Sequence, residues 1–232
     1  YSEEMLTYCQ QDVEVTADLY SQVLAQNYSE QALELEHQVA WIMAKQERNG
    51  FMFDEAKAQS LYIELATKRD EIKQGLDTLF KPWVIAEAVK TPARTVNYKD
   101  VTRASTVAGC AFTPIRINEF NPSSRQHIAN RLIKVRGWKP KEFTKSGQAK
   151  VDETTLSGLP FPEAKVMAEF FMIQKRIAQL SEGAQGWLKV VTDGKIHGSI
   201  NPNGAVTGRA THAYPNIAQV PSLSAPYGRE CR

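Results

Sequence analysis

Residues 201–221 read Asn-Pro-Asn-Gly-Ala-Val-Thr-Gly-Arg-Ala-Thr-His-Ala-Tyr-Pro-Asn-Ile-Ala-Gln-Val-Pro. One arginine, Arg209, follows a glycine among small and amide side chains, with almost no apolar periodicity. Such a segment cannot bury much of a core, so its chemistry lies in what it presents. Gly204 and Gly208 permit positive φ or close backbone approach, and Pro202 and Pro215 stiffen the turns. Thr207, Arg209, Thr211, Asn216 and Gln219 then offer donors at a loop surface. On composition alone, an ordinary Gly/Pro-punctuated surface loop is the commoner explanation.

Upstream of it, residues 189–200 alternate (Val190, Val191, Ile196, His197, Ile200) around Asp193-Gly194, a strong two-residue hairpin signal. A lone histidine in a strand, His197, reads as structural. Helical spacing of Val166, Phe170, Ile173, Ile177 and Leu180 predicts one long helix from Glu163 to Leu188, carrying Gln174-Lys175-Arg176. Val151–Leu156 reads as a short capped helix after the turn at Lys145-Ser146-Gly147. In Phe120-Asn121-Pro122-Ser123-Ser124-Arg125-Gln126, Ser123 with Gln126 makes a capping box. The helix start then presents free N–H groups and a positive dipole end, with Arg125, Arg131 and Lys134 expected around it as a phosphate site.

Residues 81–120 are punctuated by Pro82, Pro92, Gly109 and Pro114 and read as an insertion with loops and a hairpin. Before it, Asp54 is the expected N-cap of a helix to Leu79, with Leu61, Leu65, Ile72, Leu76 and Leu79 on one stripe. A preceding helix over 30–48 is expected to bury Leu35, Val39, Ile42 and Met43, and Asn49-Gly50 to end it as a left-handed stop. Residues 2–26 read as helix, with Met5, Val13, Val15, Leu19, Tyr20 and Leu24 at roughly helical spacing. Inside it Tyr8 and Asp12, four apart, share a face where a phenol and a carboxylate could converge on a metal-bound water, though such pairs arise often by chance.

The net charge of +2 hides a polarised distribution. Residues 1–36 hold eight acidic side chains and no Lys or Arg, whereas residues 121–150 hold eight basic ones against Glu142 alone. A concentrated basic patch on a near-neutral chain suits phosphate binding, although a solvated charge run is the commoner cause of any one such patch. Cys9, Cys110 and Cys231 are far apart, fit no metal spacing and point to a reducing compartment. No apolar run of membrane-spanning length and no signal-like start is present, so neither membrane insertion nor secretion is expected.

The 201–221 stretch resembles the segment that opens the polymerase module of family A DNA polymerases, where Thr-Gly-Arg is followed some six residues later by Pro-Asn. Thr207-Gly208-Arg209 and His212-Ala213-Tyr214-Pro215-Asn216 are most similar to the T-seven-like phage replicative enzymes. Further likenesses follow along the chain: Phe120-Asn121 to Gln126 resembles a thumb motif, and Gln174-Lys175-Arg176 a basic turn ahead of the palm. Lys45–Asp54 resembles the Glu-x-x-Gly link from exonuclease to polymerase, and Tyr8-x-x-x-Asp12 the third motif of a DnaQ-like 3′–5′ exonuclease.

The resemblance implies a mainly α fold (α+β overall), with long thumb helices and a small antiparallel β portion. It implies an exonuclease end over 1–28, a thumb over 29–188 with an insertion at about 81–120, and the start of a palm over 189–232. It implies a DNA-directed DNA polymerase, a nucleotidyltransferase in phage DNA replication with a 3′–5′ exonuclease domain, using dNTPs and Mg2+ in the cytoplasm of a bacterial host. In that scheme Arg209, Thr207, Asn216 and Gln219 touch primer-template DNA from the minor groove. Ser123, Arg125, Gln126, Arg131, Lys134, Lys175 and Arg176 serve the DNA backbone, and Asp12, with Tyr8, is a metal ligand left from the exonuclease site. The polymerase carboxylates and the other exonuclease motifs are expected outside this segment, which alone would bind DNA and catalyse nothing. T-seven-like enzymes recruit host thioredoxin through a thumb insertion, and the segment here is shorter. Two other readings stand beside this one: a non-catalytic DNA-binding or processivity module, and an all-α protein whose basic patch meets an acidic partner.

Overall fold

The computed structural model describes residues 2–99 and 105–232; Tyr1 and positions 100–104 of the expected insertion lie outside the described residues. In chain order the elements are α1 (Glu3–Leu24), α2 (Glu30–Asn49), β1 (Phe51–Met52), α3 (Glu55–Leu79), β2 (Trp83–Ala86), β3 (Ile115–Asn118) and α4 (Arg125–Arg136). There follow α5 (Glu153–Ser157), α6 (Pro162–Ile177), α7 (Trp187–Val190), β4 (Val191–Thr192), β5 (Lys195–Ile196), β6 (Ser199–Asn201) and β7 (Thr211–Ala213). The fold is mainly α with small antiparallel sheets, as expected. It divides into two compact units, Tyr1–Ala58 with Ala184–Arg232, and Gln59–Gly183.

In the first unit α1 and α2 start where serines cap them: Ser2 Oγ accepts from the Met5 N–H at 3.2 Å, and Ser29 Oγ from the Ala32 N–H at 3.4 Å. Neither helix buries a residue. The stripe expected to be buried along α2 is not: Leu35 and Ile42 are 59% and 51% exposed, and Val39 and Met43 only half-buried. Helical spacing creates an apolar face, but burial needs an element to cover it. Gly50 ends α2 with φ 65° and ψ 179°, so it is not the left-handed stop expected; the extended ψ sends the chain straight into β1. That strand, which periodicity could not reveal in two residues, joins β4 and β5 in an antiparallel sheet ordered β1-β5-β4. Asp193 (φ 51°) and Gly194 (φ 71°) make the β4–β5 turn, both positive as a type I′ turn requires. The deciding stretch is more ordered than a loop: β6 pairs with β7 through Ser199↔Ala213, Ile200↔His212 and Asn201↔Thr211.

Helix α3 begins where Asp54 Oδ1 accepts from the Lys57 N–H at 3.0 Å, and from Gln59 on it belongs to the second unit. Leu61, Leu65 and Leu76 are buried as expected and Ile72 partly so, but Leu79 is 48% exposed and Phe80 takes the inner place at 2%. Leu76 and Phe80 join Phe120, Ile128, Leu132, Leu156 and Met167 in one core that locks α4, α5 and α6 together. The single helix expected to Leu188 breaks early. After Ile177 one π-helical turn covers Ala178–Glu182, and Gly183 turns extended (φ −64°, ψ 157°). A side chain there would meet the Ala178 carbonyl oxygen at 2.5 Å. Of the predicted stripe, Phe170, Ile173, Ile177 and Leu180 are buried, while Val166 is 36% exposed.

The described residues of the stretch 81–120 include a two-stranded ribbon. β2 and β3 pair from Trp83↔Asn118 to Ala86↔Ile115, and bridges at Lys90↔Phe112 and Val96↔Thr106 carry the pairing outward. Among the described residues, no helix is long and apolar enough to cross a membrane.

Candidate nucleic-acid interface

Arg209 sits in the turn that joins β6 to β7. The turn closes through the Ala205 N–H to the Arg209 carbonyl at 3.1 Å and the Gly208 N–H to the Ala205 carbonyl at 2.9 Å. Gly208 has φ 71°, a conformation that a β-carbon at this position would resist. At Gly204 a β-carbon would collide with the Thr211 hydroxyl, so glycine lets the two arms approach. Both Thr207 and Arg209 are exposed at the tip. Beyond β7, Asn216 Oδ1 accepts from the Ala218 N–H at 3.1 Å and caps a 3-10 turn over Ile217–Gln219. Its oxygen is thus engaged internally and its amide nitrogen is the donor. Gln219 is exposed.

The hairpin is fastened to the end of α2. The Glu47 carboxylate Oε1 accepts from the Ile200 N–H. His197 Nδ1 lies 2.8 Å from the Glu47 carbonyl oxygen, and because a carbonyl only accepts, this nitrogen carries the proton. Lys195 Nζ donates to the Asn49 carbonyl at 2.9 Å. The His197 ring covers Gly50 so closely that a β-carbon there would stand 2.7 Å from Cε1. His197 is structural in this setting. The Glu-x-x-Gly run is visible in the sequence, but the contact of Glu47 is not, since its partner lies 153 positions away.

At the start of α4 the cap is Ser124 and not Ser123: Ser124 Oγ accepts from the His127 N–H at 3.3 Å. The expected Ser123–Gln126 capping box does not form: the cap moves to Ser124, whose own N–H bonds to the Asn121 carbonyl at 3.0 Å. Ser123 Oγ instead donates to Gln174 Oε1 at 3.1 Å, tying the helix start to α6. Ser123, Arg125, Gln126 and Lys175 line one open cleft there, and Asp152 and Glu153 line it too. Two cations thus face two carboxylates, a more balanced field than the local sequence suggested. The Thr155 backbone N–H, at 2.8 Å from Asp152 Oδ1, holds that carboxyl below the usual range, with Lys150 adding to the effect.

Arg131 and Lys134 do not surround this helix start; they lie in the second half of α4, as a 12-residue helix requires. The Arg131 guanidinium stacks 3.9 Å from the centre of the Trp83 ring, and burial pushes its pKa down. Arg136 is paired with the buried Glu163, and Lys150 with Glu142 at 2.7 Å. Arg125, Lys134, Lys139, Lys141 and Lys145 remain exposed, and among the described residues none of them joins an ion pair. In the basic turn of α6, Lys175 is exposed but Arg176 is buried, with Nη1 3.5 Å from Gln179 Oε1. The helical face decides this: Arg176 shares the inward side with Ile173 and Ile177.

Tyr8 and Asp12 lie on the exposed α1. Among the described residues, no three His, Cys, Asp or Glu side chains are grouped to hold a metal ion. The residues present thus do not fit a two-metal centre, for nuclease or nucleotidyl transfer alike.

The β6–β7 hairpin thus presents an exposed arginine at its tip, and in the other unit α4 and the stretch after it present exposed cations. The family model for DNA polymerase family A matches residues 99–232, and the chain belongs to that family. It is 37% identical over 291 aligned residues to the DNA-directed DNA polymerase of Escherichia phage T7, and equally to that of Enterobacteria phage T3. Each alignment covers 100% of this chain and 41% of the relative, so the chain spans about two-fifths of those proteins' length. Among solved structures, the POL domain of Pol1 from M. smegmatis, in complex with DNA primer-template and dNTP, superposes with a TM-score of 0.53. The match covers 82% of this chain and 27% of that one at 18% identity, a likeness of fold.

Proposed function

We propose that this chain is the primer-template-gripping part of a phage-type replicative DNA polymerase. The observation that carries this reading is Arg209, an exposed guanidinium at the tip of a hairpin held by an internal bond network. Minor-groove acceptors are shared among the base pairs, so a donor there senses correct pairing without reading sequence. Arg209 and Thr207 take that role, with Asn216 and Gln219 beside them in the chain. Arg125, Lys134, Lys139, Lys141, Lys145 and Lys175 hold phosphates, while Ser123 and Gln126 frame the start of α4. In the whole enzyme the reaction is template-directed nucleotidyl transfer from dNTPs with Mg2+, and the residues described here bind and orient the duplex. Tyr8 and Asp12 belong to the exonuclease end over 1–28, the thumb covers 29–188 and the palm begins in 189–232.

The test is a salt titration of primer-template binding by fluorescence anisotropy. With about five phosphates neutralised, log K falls against log salt with a slope of about −4 to −5. Lys134→Ala reduces that slope by about one, and Lys150→Ala, already paired with Glu142 and Asp152, by less. A slope near zero would exclude the reading.

A further inference from the structure

We infer that Glu47 is a positioning residue for the Arg209 hairpin: the last turn of α2, through one carboxylate, sets how Arg209 is offered to DNA. The inference rests on the reading of Arg209 given above. The Glu47 carboxylate takes the Ile200 N–H, and Ile200 pairs with His212, the middle of the three β6–β7 pairs. The bond therefore acts on the centre of the hairpin. Two further donors from the same strand region, His197 Nδ1 and Lys195 Nζ, satisfy the carbonyls of Glu47 and Asn49, which a helix end leaves without intrahelical partners. On its other side the segment is equally confined. A β-carbon on Gly198 would stand 2.7 Å from the Pro215 carbonyl oxygen and 3.4 Å from Ile217 side-chain carbons. Residues 195–200 are thus held between the end of α2 and the 215–217 segment.

The Glu47 and Lys195 bonds each involve an ionised side chain, which makes them stronger than neutral ones, and of the two the Glu47 bond is the one that reaches the main chain of β6. A main-chain N–H is too weak an acid to serve as a proton donor in catalysis, so Glu47 here holds geometry. Its effect on DNA must pass through the hairpin. Removing it lets β6 shift while the exposed cations of α4 stay where they are, since Ile128, Leu132 and the rest of their core do not depend on it.

The experiment is a double-mutant cycle in the full chain, crossing Glu47→Asp and Glu47→Gln with Arg209→Ala. Primer-template affinity and hydrogen exchange at the Ile200 amide are both measured. Gln keeps the acceptor oxygen at the same reach, whereas Asp keeps the charge and is one methylene short. Glu47→Asp is expected to speed exchange at Ile200 and to weaken binding by about tenfold, the scale of the Arg209 contact itself. That loss disappears in the Arg209→Ala background, because the two residues act as one unit. Glu47→Gln retains most of the affinity. An equal loss in both backgrounds, or faster exchange with unchanged affinity, overturns the positioning role alone. If Arg209→Ala leaves affinity unchanged, the reading beneath falls and the proposal with it. Both variants are conservative, so the pattern Gln above Asp is readable without a helix-end truncation that could fail to fold.

Discussion

Arg136, in the last turn of α4, is paired with Glu163, in the first turn of α6, and the carboxylate of this pair is 5% exposed while the guanidinium is 39% exposed. The two halves of the pair are therefore unequal. Arg136→Ala strands a buried carboxylate and is expected to cost about 3 kcal/mol, near the lower end for a broken buried pair. Glu163→Ala leaves an arginine that can turn to water, and should cost about half as much, also losing a favourable charge at a helix start. Urea unfolding of the two variants checks the order. Because Arg136 is already spent on Glu163, its loss should leave the salt slope of DNA binding unchanged, unlike that of Lys134.

Gly50 and Gly75 should respond to alanine in opposite directions. Gly50 combines φ 65° with ψ 179°, a region essentially confined to glycine, and faces the His197 ring. Gly50→Ala is expected to destabilise by about 1–3 kcal/mol. Gly75 lies inside α3 with open space where a β-carbon would go, so Gly75→Ala should stabilise by about 0.5–1 kcal/mol. Thermal unfolding distinguishes the two, and equal effects would contradict the geometry.

Asp152 caps α5 with a carboxyl whose pKa is lowered in the folded state, chiefly by the Thr155 backbone N–H. A lowered folded pKa contributes stability that is present above the unfolded value of about 4 and lost as pH falls through the folded value. Asp152→Ala should therefore cost about 1 kcal/mol at pH 7 and less under acid. Asp152→Asn, still a good cap, should cost little at pH 7 and remove this acid dependence. Denaturation at pH 7 and at about pH 3 checks both.

Arg209→Ala should weaken primer-template binding by about 1–3 kcal/mol, the worth of one good base-edge contact. The salt slope should stay within about one of the parent's, because the lost contact is to base edges and sugar and not to phosphate. Preference for a matched over a mismatched primer end should fall as well. Binding that is unchanged for both duplexes would make the hairpin tip merely structural.

What the sequence determined by itself is what depends on near neighbours. Asp54, Ser2 and Ser29 cap helices through bonds that span three residues, and Asp193-Gly194 closes a turn with its own dihedrals. The buried stripe of α3 and the Thr-Gly-Arg wording were legible for the same reason, and the wording led to the family. Tertiary structure decided everything that needs a distant partner. Which of Ser123 and Ser124 caps α4 depended on Gln174 taking the other hydroxyl. Whether Arg131, Arg136 and Arg176 face solvent depended on Trp83, on Glu163 and on the inward face of α6. The apolar faces of α1 and α2 stay exposed because periodicity defines a face without supplying its cover. Glu47 shows the limit most plainly: its charge is written in the chain, but its role exists only where folding brings it to the Ile200 N–H, 153 residues on.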